Sequence, residues 1–211
     1  MKTALIAGAS GLIGEQLLGL LLESEKYDKV IALVRRGITT HPKLEQLTID
    51  LGNEKDYEGI KVDDVFCCLG TTIAKAGSKD NFRKVDFQYP LVLAESMKRN
   101  GAKQYLIVTA LGASKKSSIF YNQVKGEVEE AVSKIDFESI HIFRPSLLIG
   151  ERKEKRPGED AAKWVYTVFG FLFPSKYKGI SVTKIARAML TFASEHEHGI
   201  FIHESNVLQK Y

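Results

Sequence analysis

A chain of 211 residues is long enough to bury one sizeable core and short for two. Hydrophobic residues make up 44% and charged residues 27%. The net charge of +4 is spread over 30 basic and 26 acidic side chains, which excludes a disordered polyelectrolyte and offers no concentrated basic face for nucleic acid. No apolar run approaches the roughly 18 residues that a membrane-spanning helix needs. Met1-Lys2-Thr3 leads straight into the first predicted strand, with no leader pattern, so the expected compartment is the cytosol.

Strand and helix patterns alternate along the chain. A strand near residues 2–7 is followed by an amphipathic helix over about 12–24. A second strand covers Val30 to Val34, a third Leu44 to Ile49, and a fourth Asp64 to Leu69. Helical spacing then runs from Asp80 to Lys98, where Pro90 marks a kink or a restart. Tyr105 to Thr109 form the fifth strand, a helix covers about 119–134, and His141 to Arg144 end the sixth strand. Val182 to Ser194 is a further helix, and Gly199 to His203 a short late strand. Several strands are continuously apolar, as burial on both faces of a parallel sheet requires. The expected fold is therefore a single α/β domain, a doubly wound parallel sheet of the Rossmann type with a small C-terminal extension on the substrate side.

That extension is expected over residues 151–180. Glu151 to Asp160 read as a charged loop, with Arg152, Lys153, Lys155 and Arg156 placed to attract an anion or simply to be solvated. Trp164 to Phe173 form an aromatic run that suits packing over the substrate end of the sheet. Self-association into a homo-oligomer is the next reading, and membrane contact is disfavoured without a flanking basic helix face.

Residues Gly8-Ala9-Ser10-Gly11-Leu12-Ile13-Gly14 sit between the first strand and the first helix. A glycine turn there aims backbone N–H groups and the positive end of a helix at one spot, which suits the pyrophosphate of a dinucleotide. Gly8 permits the tight turn, Gly11 lets backbone approach phosphate, and Gly14 allows close packing of the helix. NAD-binding chains usually place an acid at the end of the second strand to hold the ribose 2′-hydroxyl. Here Val34 is followed by Arg35 and Arg36, whose guanidinium forks match a 2′-phosphate, so the expected cofactor is NADP(H). Asp50 and Leu51, after the third strand, are placed to meet the adenine edge, although Asp there is also a common turn former.

Tyr121 and Lys125 are four residues apart on a predicted helix and share its face. An ammonium beside a phenol brings the phenol toward a usable acidity, which suits protonation of a carbonyl oxygen during hydride transfer. A second Tyr-x-x-x-Lys, Tyr57 and Lys61, contains Gly59 and precedes the fourth strand, away from the expected ligand edge. Thr109 ends the fifth strand with a hydroxyl available to orient a substrate oxygen, and Ser114 is a backup. Cys67 and Cys68 are neighbours, a poor geometry for a disulfide, and read as small hydrophobes. Glu195-His196-Glu197-His198, with His203 nearby, lacks a recognised zinc spacing and reads as a solvated helix end.

The glycine turn, Thr109, Tyr121-Asn122-Gln123-Val124-Lys125 and Phe143-Arg144-Pro145 together resemble the short-chain dehydrogenase/reductase superfamily. Cys68-Leu69-Gly70-Thr71-Thr72, Lys75 to Ser78, Lys84-Val85-Asp86, Tyr121 to Glu129 and Arg156 to Glu159 resemble an atypical branch of it. The resemblance implies dinucleotide contacts at Gly8 to Gly14, Arg35, Arg36, Leu69, Gly70 and Thr71. It also implies a triad of Thr109, Tyr121 and Lys125, with Lys125 additionally gripping the nicotinamide ribose. The expected activity is NADP(H)-dependent reduction of a small carbonyl compound. Two rivals stand beside it: a dinucleotide-sensing interaction protein, and an epimerase or dehydratase of nucleotide sugars, which the short stretch after Gly150 disfavours.

Overall fold

A computed structural model describes residues 2–149, 178–195 and 197–211. The order of its elements follows from the alternating pattern of the sequence. β1 (Lys2–Ala7), β2 (Tyr27–Val34), β3 (Leu44–Thr48), β4 (Asp64–Cys67), β5 (Gln104–Val108) and β6 (Ser139–Arg144) are joined by crossovers. After the short strands β7 (Leu148–Ile149) and β8 (Ile180–Ser181) comes β9 (Gly199–Glu204). Seven strands form one all-parallel sheet in the order β3-β2-β1-β4-β5-β6-β9. The reversal of direction beside β1 is the switch point at which open α/β sheets bind ligands, beyond the C-terminal ends of their strands.

The reason for the continuously apolar strands is visible in their alternation. Ala4 and Ile6 of β1, Val30 and Ala32 of β2, and Leu106 and Val108 of β5 face one core with α1 (Leu12–Glu23) and the Val182–Phe192 helix. Leu5 and Ala7, Ile31 and Leu33, and Tyr105 and Ile107 face the other. Here α4 (Tyr89–Arg99) contributes Leu93, Ala94 and Met97, and α5 (Phe120–Val132) contributes Val128 and Val132. Both faces of the central strands are covered, which is why their side chains are predominantly apolar on both sides.

The expected helix over Asp80 to Lys98 is resolved into three parts. After α2 (Ile73–Ala76), α3 (Lys79–Arg83) passes into a π-helical turn, Lys84–Gln88, and then into α4 with Pro90 in its first turn. Proline has no N–H to return to the carbonyl four residues back, and the turn widens ahead of it: the Tyr89 N–H bonds to the Lys84 carbonyl, five residues earlier. The widened turn contains the buried Asp86. The strand ends at Cys67 rather than Leu69; the Cys68 N–H still bonds to the Ala7 carbonyl at 2.8 Å, and Leu69 follows at the sheet edge. Cys67 and Cys68 are free thiols. The loop of Glu151 to Asp160 and the aromatic run of Trp164 to Phe173 lie outside the described residues.

His203 does not join the acidic histidine run at 195–198. Its ring is buried, stacked on Phe192 with centroids 3.8 Å apart, and its Nε2 lies 3.0 Å from His141 Nδ1. His141 in turn meets the Ser139 hydroxyl through Nε2 at 2.8 Å, among Phe143, Phe192 and Phe201. Burial holds both imidazoles down at about 4, with the neighbouring ring adding to the effect at His203. Both rings are therefore neutral in the folded protein near pH 7. Between pH 6.5 and about 4 the unfolded chain binds protons that the folded chain refuses. The stabilisation from the neutral pair is thus complete above pH 6.5 and declines as pH falls through about 4. Denaturant unfolding at stepped pH should show this fall in wild type, and a markedly shallower one in His141→Phe/His203→Phe. Equal slopes for the two proteins would show that the pair does not contribute.

Candidate active site

The turn between β1 and α1 is built on three close approaches. Gly8 has φ +85°, and a Cβ there would lie 2.6 Å from the Cys68 carbonyl oxygen and 2.9 Å from the Leu69 nitrogen. A Cβ on Gly14 would lie 2.1 Å from the Gly8 carbonyl oxygen, and one on Gly11 3.2 Å from the same atom. The Gly11 N–H donates to that carbonyl at 2.9 Å. Gly14 therefore allows the first turn of α1 to rest on the glycine turn itself. Gly11 is the N-cap of α1 and has no side chain to satisfy the free N–H groups. Ser10 and Gly11 are exposed, Leu12 is half-buried and Ile13 is buried in the core. An open helix N-terminus with no side-chain cap and no Cβ over it fits an anionic dinucleotide phosphate.

The other expected contacts line up along the same edge. β4 pairs with β1, so Leu69, Gly70 and Thr71 emerge beside the glycine turn. β2 pairs with β1 on the other side, and Arg35 and Arg36 follow it, both exposed and without an ion pair among the described residues. Asp50 and Leu51 follow β3. Asp50 forms a side-chain turn, its Oδ1 accepting from the Gly52 N–H at 2.9 Å, and the Leu51 carbonyl accepts from the buried Tyr57 hydroxyl at 3.1 Å. That bond occupies Tyr57, and Lys61 is exposed, so the second Tyr-x-x-x-Lys is a piece of structure beneath the β3 end.

Tyr121, Lys125 and Glu129 form one row along α5, spaced by four residues. Each meets a different element. The Tyr121 ring packs on Phe82 of α3 with centroids 5.4 Å apart. Lys125 Nζ lies 2.7 Å from Asp86 Oδ1, with side-chain exposures of 5% and 0%. The other Asp86 oxygen accepts from the Thr71 N–H at 3.0 Å. A Cβ on Gly70 would lie 3.5 Å from Asp86 Oδ1 and 3.7 Å from Lys125 Nζ. A continuous seam thus runs from Gly8 through Cys68 and Gly70 to Lys125 and Tyr121. Burial is the largest single influence on Lys125 and works to lower its pKa, but the Asp86 carboxylate together with Tyr121 and Cys67 outweighs it, and the ammonium is held above its ordinary value.

Thr109 does not present its hydroxyl to this seam, contrary to the sequence expectation. The hydroxyl is buried and donates to Glu129 Oε1 at 2.5 Å, and it also lies 3.3 Å from the Phe143 carbonyl. Glu129 is gripped on both oxygens by Arg144, Nε to Oε1 at 3.0 Å and Nη2 to Oε2 at 2.5 Å. A buried carboxylate needs such partners, and Thr109 supplies one of them. Ser114 lies in the loop that crosses α5 at Gly126, where a Cβ would come within 2.4 Å of the Ser114 Cα, and its hydroxyl accepts from the Lys116 N–H. Sequence reasoning missed Asp86 and Glu129 as site residues. Glu129 was signalled by its place in the Tyr121–Lys125 row, whereas Asp86 is one of three acids in the Asp80–Lys98 pattern and nothing in the spacing singled it out.

The chain matches the NAD dependent epimerase/dehydratase family over residues 4–165. It belongs to that family. Protein HTATIP2 of Rattus norvegicus is 39% identical over 197 residues, which cover 90% of this chain and 80% of that protein. A relative named "Protein FMP52, mitochondrial", from Eremothecium gossypii, is 36% identical over 157 residues, covering 74% of this chain and 70% of that one. Among solved structures, the Bordetella bronchiseptica enzyme WbmH in complex with NAD+ superposes with a TM-score of 0.73 at 18% identity, covering 97% of this chain and 76% of the other. The family is NAD(P)-dependent, and this likeness establishes the Rossmann-type fold. The expectation of a cytosolic compartment is overturned by the fungal relatives, whose names are mitochondrial. No helix among the described residues is long and apolar enough to cross a membrane.

Two substitutions check the local geometry. Thr109→Val leaves Glu129 short of a donor and should cost about 1–3 kcal/mol in denaturant unfolding, whereas Thr109→Ser should cost far less. Gly14→Ala should lose on the order of 3 kcal/mol, because a methyl group cannot share space with the Gly8 carbonyl.

Proposed function

We propose that the protein is an NADP(H)-dependent reductase of a small carbonyl compound. The observation that supports this best is the seam along the sheet edge, which joins a phosphate-suited helix N-terminus to a Tyr–Lys pair through Cys68, Leu69 and Gly70. Gly8, Ser10, Gly11, Leu12, Ile13 and Gly14 would hold the pyrophosphate end of the cofactor, with Leu69, Gly70 and Thr71 alongside. Arg35 and Arg36 would hold the 2′-phosphate, since no acid stands after β2 to repel it. Asp50 and Leu51 would border the adenine. Bound NADPH would supply the hydride.

Tyr121 holds the proton destined for the carbonyl oxygen, and Lys125 stabilises the phenolate that the phenol becomes. Lys125 retains N–H donors beyond its contact with Asp86 and can reach ribose hydroxyls. With the Thr109 hydroxyl committed to Glu129, Tyr121 is left as the principal side chain addressing the substrate oxygen. That commitment also supports a second reading, a protein that binds the dinucleotide and passes its occupancy to a partner without turnover. The family match and the fold neighbours keep epimerase or dehydratase chemistry as a third. A mitochondrial setting, as in the names of the fungal relatives, is the compartment proposed.

Tyr121→Phe should remove at least about 100-fold of carbonyl reduction while leaving NADPH affinity within about twofold, measured by NADPH oxidation against an aldehyde and ketone panel and by calorimetry. Retained turnover would remove Tyr121 from the chemistry, and turnover absent in wild type as well would favour the sensing reading. Arg35→Ala/Arg36→Ala should weaken NADPH far more than NADH, by about tenfold or more for a lost charge-assisted fork. Equal losses would overturn the 2′-phosphate assignment.

A further inference from the structure

Lys125 is an ammonium in a place where burial opposes charge. It is 5% exposed on α5, beneath Gly70, and desolvation alone would lower its pKa. The groups that face it come from three elements. Tyr121 lies one turn away on the same helix, and Cys67 faces it from β4, its thiol pushed up by burial and so neutral. Asp86 faces it from the π-turn. Asp86 is the one anion among them.

The placement of Asp86 is built rather than incidental. Its turn is widened ahead of Pro90, its side chain is fully buried, and one oxygen is held by the Thr71 N–H at 3.0 Å while the other meets Lys125 at 2.7 Å. Lys125 Nζ carries three N–H donors, so its 2.7 Å contact with one Asp86 oxygen leaves donors for other acceptors. Thr71 belongs to the stretch that follows β4 beside the glycine turn, so Asp86 ties the lysine to the same backbone that lines the cofactor edge.

We propose that Asp86 is a positioning residue that keeps Lys125 charged across the pH range in which the site works and fixes it under the Gly70 backbone. This rests on the reading of Lys125 as a cofactor-binding residue. Its physical basis stands apart from that reading: a buried ammonium without its counter-ion gives up its proton more easily. Asp86→Asn keeps an oxygen acceptor for the Thr71 N–H and puts an amide NH2 where the oxygen facing Lys125 stood, removing both the charge and that acceptor.

The test is a pH titration of the whole protein labelled with 13Cε-lysine, followed by NMR, with the Lys125 signal identified by its loss in Lys125→Met. In wild type this signal should not titrate below the ordinary lysine value of 10.5. In Asp86→Asn it should titrate below that value, and in Asp86→Glu it should stay above it. NADPH affinity, read by fluorescence, should be constant from about pH 7 to pH 9 in wild type. In Asp86→Asn it should weaken by up to about tenfold per pH unit above the lowered lysine pKa. A wild-type Lys125 that titrates below its ordinary value, or one unmoved by Asp86→Asn, overturns the proposal. Should Asp86→Asn fail to fold, Asp86→Ser takes its place in the same titration, with the same fall in the Lys125 value expected. Failure of wild type to bind NADPH would instead sink the functional reading and leave the lysine titration to stand or fall by itself.

Discussion

Everything at the ligand edge depends on how closely α1 rests on the glycine turn. With a would-be Cβ on Gly14 only 2.1 Å from the Gly8 carbonyl oxygen, the helix can begin where it does only if position 14 has no side chain. Gly8, at positive φ and pressed on the Cys68 carbonyl, fixes the turn against β4 in the same way. Those two contacts set the direction of the open helix N-terminus and place Leu69, Gly70 and Thr71 next to it. Since Gly70 in turn lies over Asp86 and Lys125, a backbone constraint near the N-terminus reaches the Tyr–Lys pair through direct contacts.

The second organising feature is a set of buried charges balanced pair by pair. Lys125 with Asp86, and Glu129 with Arg144 and Thr109, sit on adjacent turns of α5. Removing charge from water is expensive, and a buried ion pair gains stability only when geometry and extra hydrogen bonds offset that loss. Here the second oxygen of each acid has its own partner, the Thr71 N–H for Asp86 and the Arg144 fork for Glu129. One residue that breaks either pair leaves an uncompensated charge inside the protein. The arrangement restrains α5 from three sides: by α3 at Tyr121, by the π-turn at Lys125 and by β6 at Glu129. A helix pinned in that way presents its phenol in one place, which is what a proton donor to a positioned substrate requires.

Much of the fold was legible in the sequence. Continuous apolar runs such as Val30 to Val34 and Tyr105 to Val108 signalled strands covered on both faces, and the alternation of their side chains between two cores bears that out. The glycine spacing located the turn, and the Tyr121–Lys125 spacing located a shared helix face. Less legible was the stretch around Pro90. A proline inside a helical pattern signals a break, but whether the chain kinks, restarts or widens into a π-turn depends on what packs beneath it. The bonding of Thr109 to Glu129 was hidden for a related reason: a hydroxyl at a strand end looks available until its neighbours are known. His203 reads in sequence as the end of a short late strand near an acidic histidine run, but nothing in the sequence shows that it pairs with His141 across β6 and β9.

By itself the sequence determined the parallel α/β layout, the glycine turn and the row of polar side chains on α5, because each follows from short-range periodicity or from a steric demand local to a few residues. Only the tertiary structure decided which way Thr109 points, that Asp86 rather than a nearer acid meets Lys125, and that two histidines share the core. Those outcomes are set by partners 20 to 62 residues away in the chain. Electrostatic and hydrogen-bond partners are chosen by distance in space and by exclusion from water, and neither quantity is written in the spacing of neighbouring residues.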